Sequence, residues 1–168
     1  MNPTNIVPYQ RKAAVDYAHT WAFGRNPKYG DFSDMGGDCS NFISQCLIAG
    51  NAVMKDNQEN GWYYYSLKNR SPSWSGVPFL WKFLVTNQGR GPFGHEIPLA
   101  EAEVGDIIQL RFPDKEDYSH SLLIVDEGDA PDPMNILIAA HSYDSDYRPL
   151  NTYSYQSTRV LHIDGVRK

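Results

Sequence analysis

The stretch Gly36-Gly37-Asp38-Cys39-Ser40-Asn41-Phe42-Ile43-Ser44-Gln45-Cys46-Leu47 predicts a glycine turn that runs directly into a helix. Asp38 suits the N-cap position, because its side-chain oxygen can accept a hydrogen bond from the first helical turn. Gly50 stands where a glycine that ends a helix is expected. The apolar residues between them recur every three to four positions, which predicts a half-buried helix with Phe42, Ile43, Cys46 and Leu47 on its buried side.

This helix places Cys39 in its first turn, where the positive end of the helix dipole should lower the pKa of the thiol and favour the nucleophilic thiolate. Gly36 and Gly37 leave room for a substrate backbone to approach. Cys39 is therefore a candidate nucleophile. Cys46 lies seven residues later, about 10 Å away along a helix, which exceeds the roughly 7 Å that a disulfide allows. The two cysteines should stay unpaired, with Cys46 in the core.

Composition limits the class of protein. The 168 residues are 41% hydrophobic and 21% charged, which predicts one globular domain over residues 1–168. The candidate nucleophile Cys39 would make this a single catalytic domain. The net charge of −5 argues against nucleic acid as a partner. No apolar run is long enough to span a bilayer. Residues 1–8 lack the features of a signal peptide, so we expect either synthesis in the cytoplasm or a piece of a longer secreted chain.

The order of elements predicts an α+β fold, with N-terminal helices packed on one face of a C-terminal antiparallel sheet. Besides the central helix, helices are expected over 9–23 and about 77–86, and four strands follow without helices between them. The predicted strands cover 106–112, 119–125, 135–141 and 157–162.

A thiol nucleophile needs a base and a polar group that orients the base. His120 opens an apolar strand and His141 closes the next one, so antiparallel pairing should bring both to the same edge of the sheet. His19, His95 and His162 are weaker candidates. Because neither a CxxC nor an HxxxH spacing occurs, a zinc site is not favoured.

These motifs together resemble the NlpC-type branch of the papain-like cysteine hydrolases, and within it the bacterial putative amidase domain family. The resemblance covers nearly the whole chain, and its central block is the specific part. It is carried by Tyr9-Gln10-Arg11 with Ala13-Ala14-Val15, Asn26-Pro27 followed by Tyr29, Gly36 to Cys46, Trp62-Tyr63-Tyr64, Trp74, Gly105-Asp106-Ile107-Ile108 and Ser119-His120-Ser121.

The resemblance implies that Cys39 is the nucleophile and His120 the general base. His141 occupies the place of the third catalytic residue, and Asp144 is the alternative, since a carboxylate would orient an imidazolium well. Three residues around the thiol are expected to contact substrate, namely Tyr29, Asp38 and Ser40, although Asp38 could equally be a plain N-cap. Neither a metal nor an organic cofactor is implied.

The same resemblance implies bacterial peptidoglycan as the substrate, cleaved either at the N-acetylmuramoyl-L-alanine bond or within the stem peptide. An endolysin made in the cytoplasm of a phage host would act in this way at the cell wall, with a wall-binding domain possible outside this chain. Two alternatives stay open: a thiol acyltransferase of the transglutaminase kind, and a non-catalytic wall-binding module. The sequence leaves open the bond cleaved, the host and the oligomeric state.

Overall fold

The computed structural model describes residues 5–168. Four helices lie in the first half of the chain: α1 (Arg11–Trp21), α2 (Cys39–Ala49), α3 (Pro72–Ser75) and α4 (Val77–Thr86). The early strands are β1 (Ile6–Val7), β2 (Tyr64–Ser66), β3 (Asn69–Arg70) and β4 (Gly91–Ile97). The later strands are β5 (Ile107–Arg111), β6 (His120–Asp126), β7 (Leu137–Ala140), β8 (Ser145–Pro149) and β9 (Ser157–Arg167).

The strands form one large antiparallel sheet and one small hairpin. In the large sheet the order is β1-β9-β5-β6-β7-β8, and β4 pairs with the other side of β9. The hairpin consists of β2 and β3. This arrangement confirms the predicted α+β class.

Strand alternation divides the sheet into two buried faces. On β6, Leu123 and Val125 join the core that the helices cover, whereas Leu122 and Ile124 join a second core on the opposite face. The second core is closed by residues of the connecting segments, among them Ala102, Ile136 and Leu150. Both faces of the sheet are therefore covered.

Helix α2 is more buried than its sequence predicts. Every residue from Cys39 to Leu47 is buried, because α1, α3 and β6 all pack against this helix. Its polar side chains are satisfied internally: Trp74 Nε1 donates to Asn41 Oδ1 at 2.8 Å, and Trp62 Nε1 donates to Ser44 Oγ at 3.0 Å. The half-buried prediction was wrong because these polar residues face indole partners rather than water.

Other elements differ from the prediction mainly at their ends. Helix α1 is shorter than the predicted 9–23, and β9 extends five residues beyond 157–162. The short or polar strands β1, β2, β3, β4 and β8 and the helix α3 were not predicted. Cys39 and Cys46 are both unpaired thiols, as expected, and Cys46 is fully buried. Within residues 5–168, no helix has the length and apolar character needed to cross a membrane.

The C-terminal end of α2 makes a close contact that should be testable. A Cβ on Gly50 would overlap the ring of Tyr9, which is buried and donates from its hydroxyl to the Gly105 carbonyl at 2.8 Å. Gly50→Ala should therefore lower the free energy of unfolding by about 1–3 kcal/mol through overpacking. In Gly24→Ala the new Cβ lies no closer than 3.8 Å to a neighbour, so this control should stay near wild type. Equal urea midpoints for the two variants would show that the Tyr9 ring can move aside without loss of stability.

Candidate active site

The first turn of α2 is reached through two glycines in left-handed conformation, Gly36 (φ 97°) and Gly37 (φ 118°). No atom lies within 4 Å of where a Cβ would stand on either glycine, so the backbone here borders open space. A cavity of about 320 Å³ opens beside this turn. Cys39 and His120 both line it, so the structure brings the predicted nucleophile and the predicted base to one cavity.

Hydrogen bonds fasten the first turn of α2 to the start of β6. Ser40 is fully buried and its hydroxyl lies 3.1 Å from the hydroxyl of Ser121, which also accepts a hydrogen bond from Gln109 Nε2 at 3.2 Å. Ser121 follows His120 directly, so this contact fixes the distance between the helix start and the strand start. Ser40 therefore joins the start of α2 to the start of β6.

Burial favours the neutral forms of both Cys39 and His120. Burial raises the pKa of the Cys39 thiol, although hydrogen bonds from the backbone of Ser121 and from Ser40 oppose this rise. Burial also lowers the pKa of His120 to about 4, and the positive charge of Arg148 adds to that effect. The expectation that the helix dipole lowers the pKa of Cys39 was wrong, because desolvation outweighs it. A neutral imidazole that shares a cavity with a thiol can act as a general base once the two groups come within hydrogen-bond distance.

Asp38 occupies the N-cap position, yet its side chain does not cap the helix. Its Oδ1 accepts hydrogen bonds from the Phe32 backbone N–H and from Asn41 Nδ2, each at 2.8 Å. Its Oδ2 lies 2.6 Å from Nδ1 of His141. These contacts occupy the fully buried carboxylate, so the amide N–H groups of the first helical turn have no side-chain cap.

His141 lies in this buried network and is not bonded to His120. Its Nε2 is 2.8 Å from the carbonyl oxygen of Trp21, and its ring stacks on Phe42 of α2 with centroids 4.1 Å apart. His120 is an even-numbered residue of β6 and shares the alternation of Leu122 and Ile124, which point to the second core. His120 and His141 were predicted to lie at the same edge of the sheet. In this structure the His141 ring contacts Asp38 and Phe42, whereas His120 lies on the face of the second core.

The remaining predicted residues lie away from the Cys39 cavity. Asp144 forms a two-pronged pair with Arg25, at 3.0 and 3.1 Å. The same guanidinium lies 3.1 Å from Nε2 of His141 and 3.6 Å from Oδ2 of Asp38. Tyr29 stacks on Trp74 and lines a separate groove with Tyr64 and Tyr65. Neither Asp144 nor Tyr29 lines the Cys39 cavity.

Sequence reasoning missed much of the cavity wall. The residues that line it without having been predicted are Phe112, Ser142, Tyr143, Arg148 and Tyr153. Tyr143 is 91% exposed and has a positive φ of 40°. Most of these residues follow β7 or lie in and after β8, a mixed polar strand whose sequence has no apolar alternation that would have shown it as a strand.

A group of acidic and histidine side chains elsewhere has the composition of a metal site. Glu103, Asp106 and His162 bring ligand atoms within 4.8 Å of one another. The guanidinium of Arg11 already contacts this group, 2.7 Å from Asp106 and 3.7 Å from Glu103. The positive charge that balances the buried Asp106 is thus supplied by the protein itself.

The fold and cavity define an α+β protein with a cysteine at the start of a buried helix and a neutral histidine facing the same cavity. Residues 8–163 match the family model described as "Putative amidase domain". The chain belongs to this family, whose description points to hydrolysis of amides. It is also 36% identical over 145 residues to the uncharacterized protein YhbB of Bacillus subtilis (strain 168), covering 83% of this chain and 43% of that protein. No solved structure matches the chain.

The lowered pKa of His120 predicts a pH-dependent loss of stability. As pH falls below 6.5, the unfolded chain binds a proton at His120 that the folded chain accepts only near pH 4. From pH 6.5 to pH 4.5 wild type should lose about 3 kcal/mol of unfolding free energy that His120→Gln does not lose, at about 1.4 kcal/mol per pH unit. Urea denaturation of both proteins from pH 7 to pH 4.5 measures this. A stability difference that stays constant over that range would refute the burial of a neutral imidazole.

The burial of the Asp38–His141 pair predicts that its loss costs more stability than the loss of the partly exposed Asp144–Arg25 pair. His141→Leu keeps an apolar surface against Phe42 but leaves a buried carboxylate without its imidazole partner, which should cost about 3 kcal/mol of unfolding free energy. Asp144→Asn weakens a partly exposed pair with Arg25 and should cost about 1 kcal/mol or less. Thermal and urea unfolding of the two variants test this ranking, and a larger loss in Asp144→Asn would invert it.

Proposed function

We propose that the protein is a cysteine-dependent amide hydrolase of the papain-like, NlpC-type kind, acting on bacterial peptidoglycan. The observation that carries the proposal is the shared cavity of Cys39, at the uncapped start of α2, and the neutral His120 at the start of β6. The peptidoglycan substrate rests on the sequence resemblance, and the scissile bond is either the N-acetylmuramoyl-L-alanine amide or an amide of the stem peptide.

In the proposed reaction His120 takes the thiol proton as the sulfur of Cys39 attacks the amide carbonyl carbon. The negative charge that develops on the carbonyl oxygen is stabilised by amide N–H groups of the first turn of α2. The C–N bond then breaks, and His120 returns the proton to the departing amine. Water hydrolyses the thioester, which releases the carboxylic acid and restores the thiol.

In this mechanism the Cys39 thiol and the His120 imidazole are both neutral before the reaction begins. Since the thiol is protonated at rest, the proton must move during the attack and not before it. His141 would act through Asp38, which fixes the turn before Cys39, and would be a positioning residue in this scheme. Within the described residues, neither His141 nor Asp144 forms a hydrogen bond with His120, so no such bond favours either of them as a third catalytic residue.

The two cysteines provide a matched test of the nucleophile. Cys39→Ala and Cys39→Ser should release soluble fragments from purified peptidoglycan at least about a thousandfold more slowly than wild type. Cys46→Ala removes a thiol from the core of the same helix and should keep most of the activity. Mass spectrometry of the new termini identifies the bond that is cleaved. Undiminished activity in a folded Cys39→Ala would refute the mechanism.

The same assay separates the alternatives. If an added primary amine is incorporated into the product in place of water, the enzyme is an acyltransferase. If wild type and Cys39→Ala bind walls equally and neither releases fragments, the protein is a binding module.

A further inference from the structure

Arg148 is held rigidly at the rim of the Cys39 cavity. It lies on β8 opposite Ile138 of β7, which belongs to the second core. Its guanidinium carbon lies 3.6 Å from the centroid of the Tyr153 ring. Its Nε donates to the hydroxyl of Thr152 at 2.7 Å, and its Nη2 donates to the Thr152 carbonyl at 3.3 Å. Stacking and hydrogen bonding thus fix the direction of the charged group.

This guanidinium has no acidic partner. Over residues 5–168, no carboxylate oxygen lies within 4 Å of it, whereas Arg11 and Arg25 each pair with an aspartate. Its Nη1 forms no hydrogen bond with any described residue, although it belongs to a side chain that lines the cavity. A cation that a protein orients toward a cavity without a counter-ion is available to an anionic ligand.

Two hydroxyl groups add to this wall. The oxygen atoms of Ser142 and Tyr153 are both buried. The Ser142 hydroxyl has no hydrogen-bond partner among the described residues, and the Tyr153 hydroxyl has only weak contacts with the side chains of Ser145 and Arg148. Both side chains line the same cavity as Arg148. An unsatisfied buried hydroxyl costs about 1–3 kcal/mol. A ligand that supplies acceptor oxygens would remove this cost.

We propose that Arg148, Ser142 and Tyr153 form a subsite for a carboxylate that the substrate carries close to the scissile amide. A planar carboxylate matches the fork of a guanidinium, and its oxygens can accept from the two hydroxyls. The inference rests on the proposed function, because it assigns a substrate group to the same cavity. It makes Arg148 a specificity residue that selects free carboxylates over carboxamides in the stem peptide.

The proposed pairing also affects the base. The positive charge of Arg148 opposes protonation of His120, since both groups face one cavity. A substrate carboxylate would neutralise that charge when it binds. Substrates with the carboxylate should therefore have a higher kcat as well as a lower KM than substrates without it. Arg148→Gln should process an amidated substrate at least as fast as wild type does.

The test compares native peptidoglycan with peptidoglycan whose carboxylates are converted to carboxamides by carbodiimide and ammonia. Wild type should lose about tenfold to a hundredfold in kcat/KM on amidation, the range expected for losing a charge-assisted hydrogen bond. Arg148→Gln should cleave both walls at similar rates, and Arg148→Lys should keep part of the preference. Arg90→Gln removes a charge elsewhere and should behave as wild type. An unchanged preference in Arg148→Gln would overturn the inference.

A binding measurement tests the carboxylate subsite without requiring that the protein cleave peptidoglycan. N-acetyl-L-alanine should slow alkylation of Cys39 by iodoacetamide in wild type, whereas N-acetyl-L-alaninamide should not, and the protection should vanish in Arg148→Gln. If wild type leaves both walls intact but shows this protection, the subsite stands and the peptidoglycan substrate is wrong. If the walls are cleaved without dependence on Arg148, or if no protection occurs, the subsite is wrong.

Discussion

The buried carboxylate of Asp38 ties together the segments that present Cys39. It accepts from the backbone of Phe32 in the preceding loop, from Asn41 in the first turn of α2, and it lies 2.6 Å from the ring of His141 beyond β7. A carboxylate without exposed surface is tolerated only when its oxygens are satisfied in this way. Loop, helix and sheet edge are thus fixed relative to one another at one residue, and the next residue along the chain is the thiol.

The same burial explains the resting chemistry. A helix start in water would favour a thiolate, but α2 is enclosed by α1, α3 and β6, so the cost of burying a charge outweighs the dipole at Cys39. His120 experiences a similar environment and stays neutral. The packing that encloses the two groups therefore favours their neutral forms.

The sequence predicted the elements that depend on local patterns. Helix α2 could be bounded because a glycine turn precedes Cys39 and a glycine follows Ala49, and the apolar runs of β5, β6 and β7 were long enough to identify. The surroundings of His120 and His141 could not be predicted, because side-chain direction depends on strand alternation and a register error of one residue inverts it. The contact between Asp38 and His141 joins residues that are 103 positions apart in the chain, and no local signal indicates such a contact. Arg148 was missed for a related reason: β8 is a polar edge strand that is recognisable only by its pairing with β7.

The residues around the cavity therefore fall into two groups, which differ in the part of the fold that positions them. Cys39 and His120 stand at the beginnings of regular elements, and their positions follow from the order of helices and strands. The cavity wall made by Ser142, Arg148 and Tyr153 comes from segments that close the far end of the sheet. In the proposed reaction the first group supplies the thiol and the base, and these two groups can act on many amides. The second group supplies a cation and two buried hydroxyls, so under the same proposal the selection among amides depends on the segments around β8 and the reaction depends on α2 and β6.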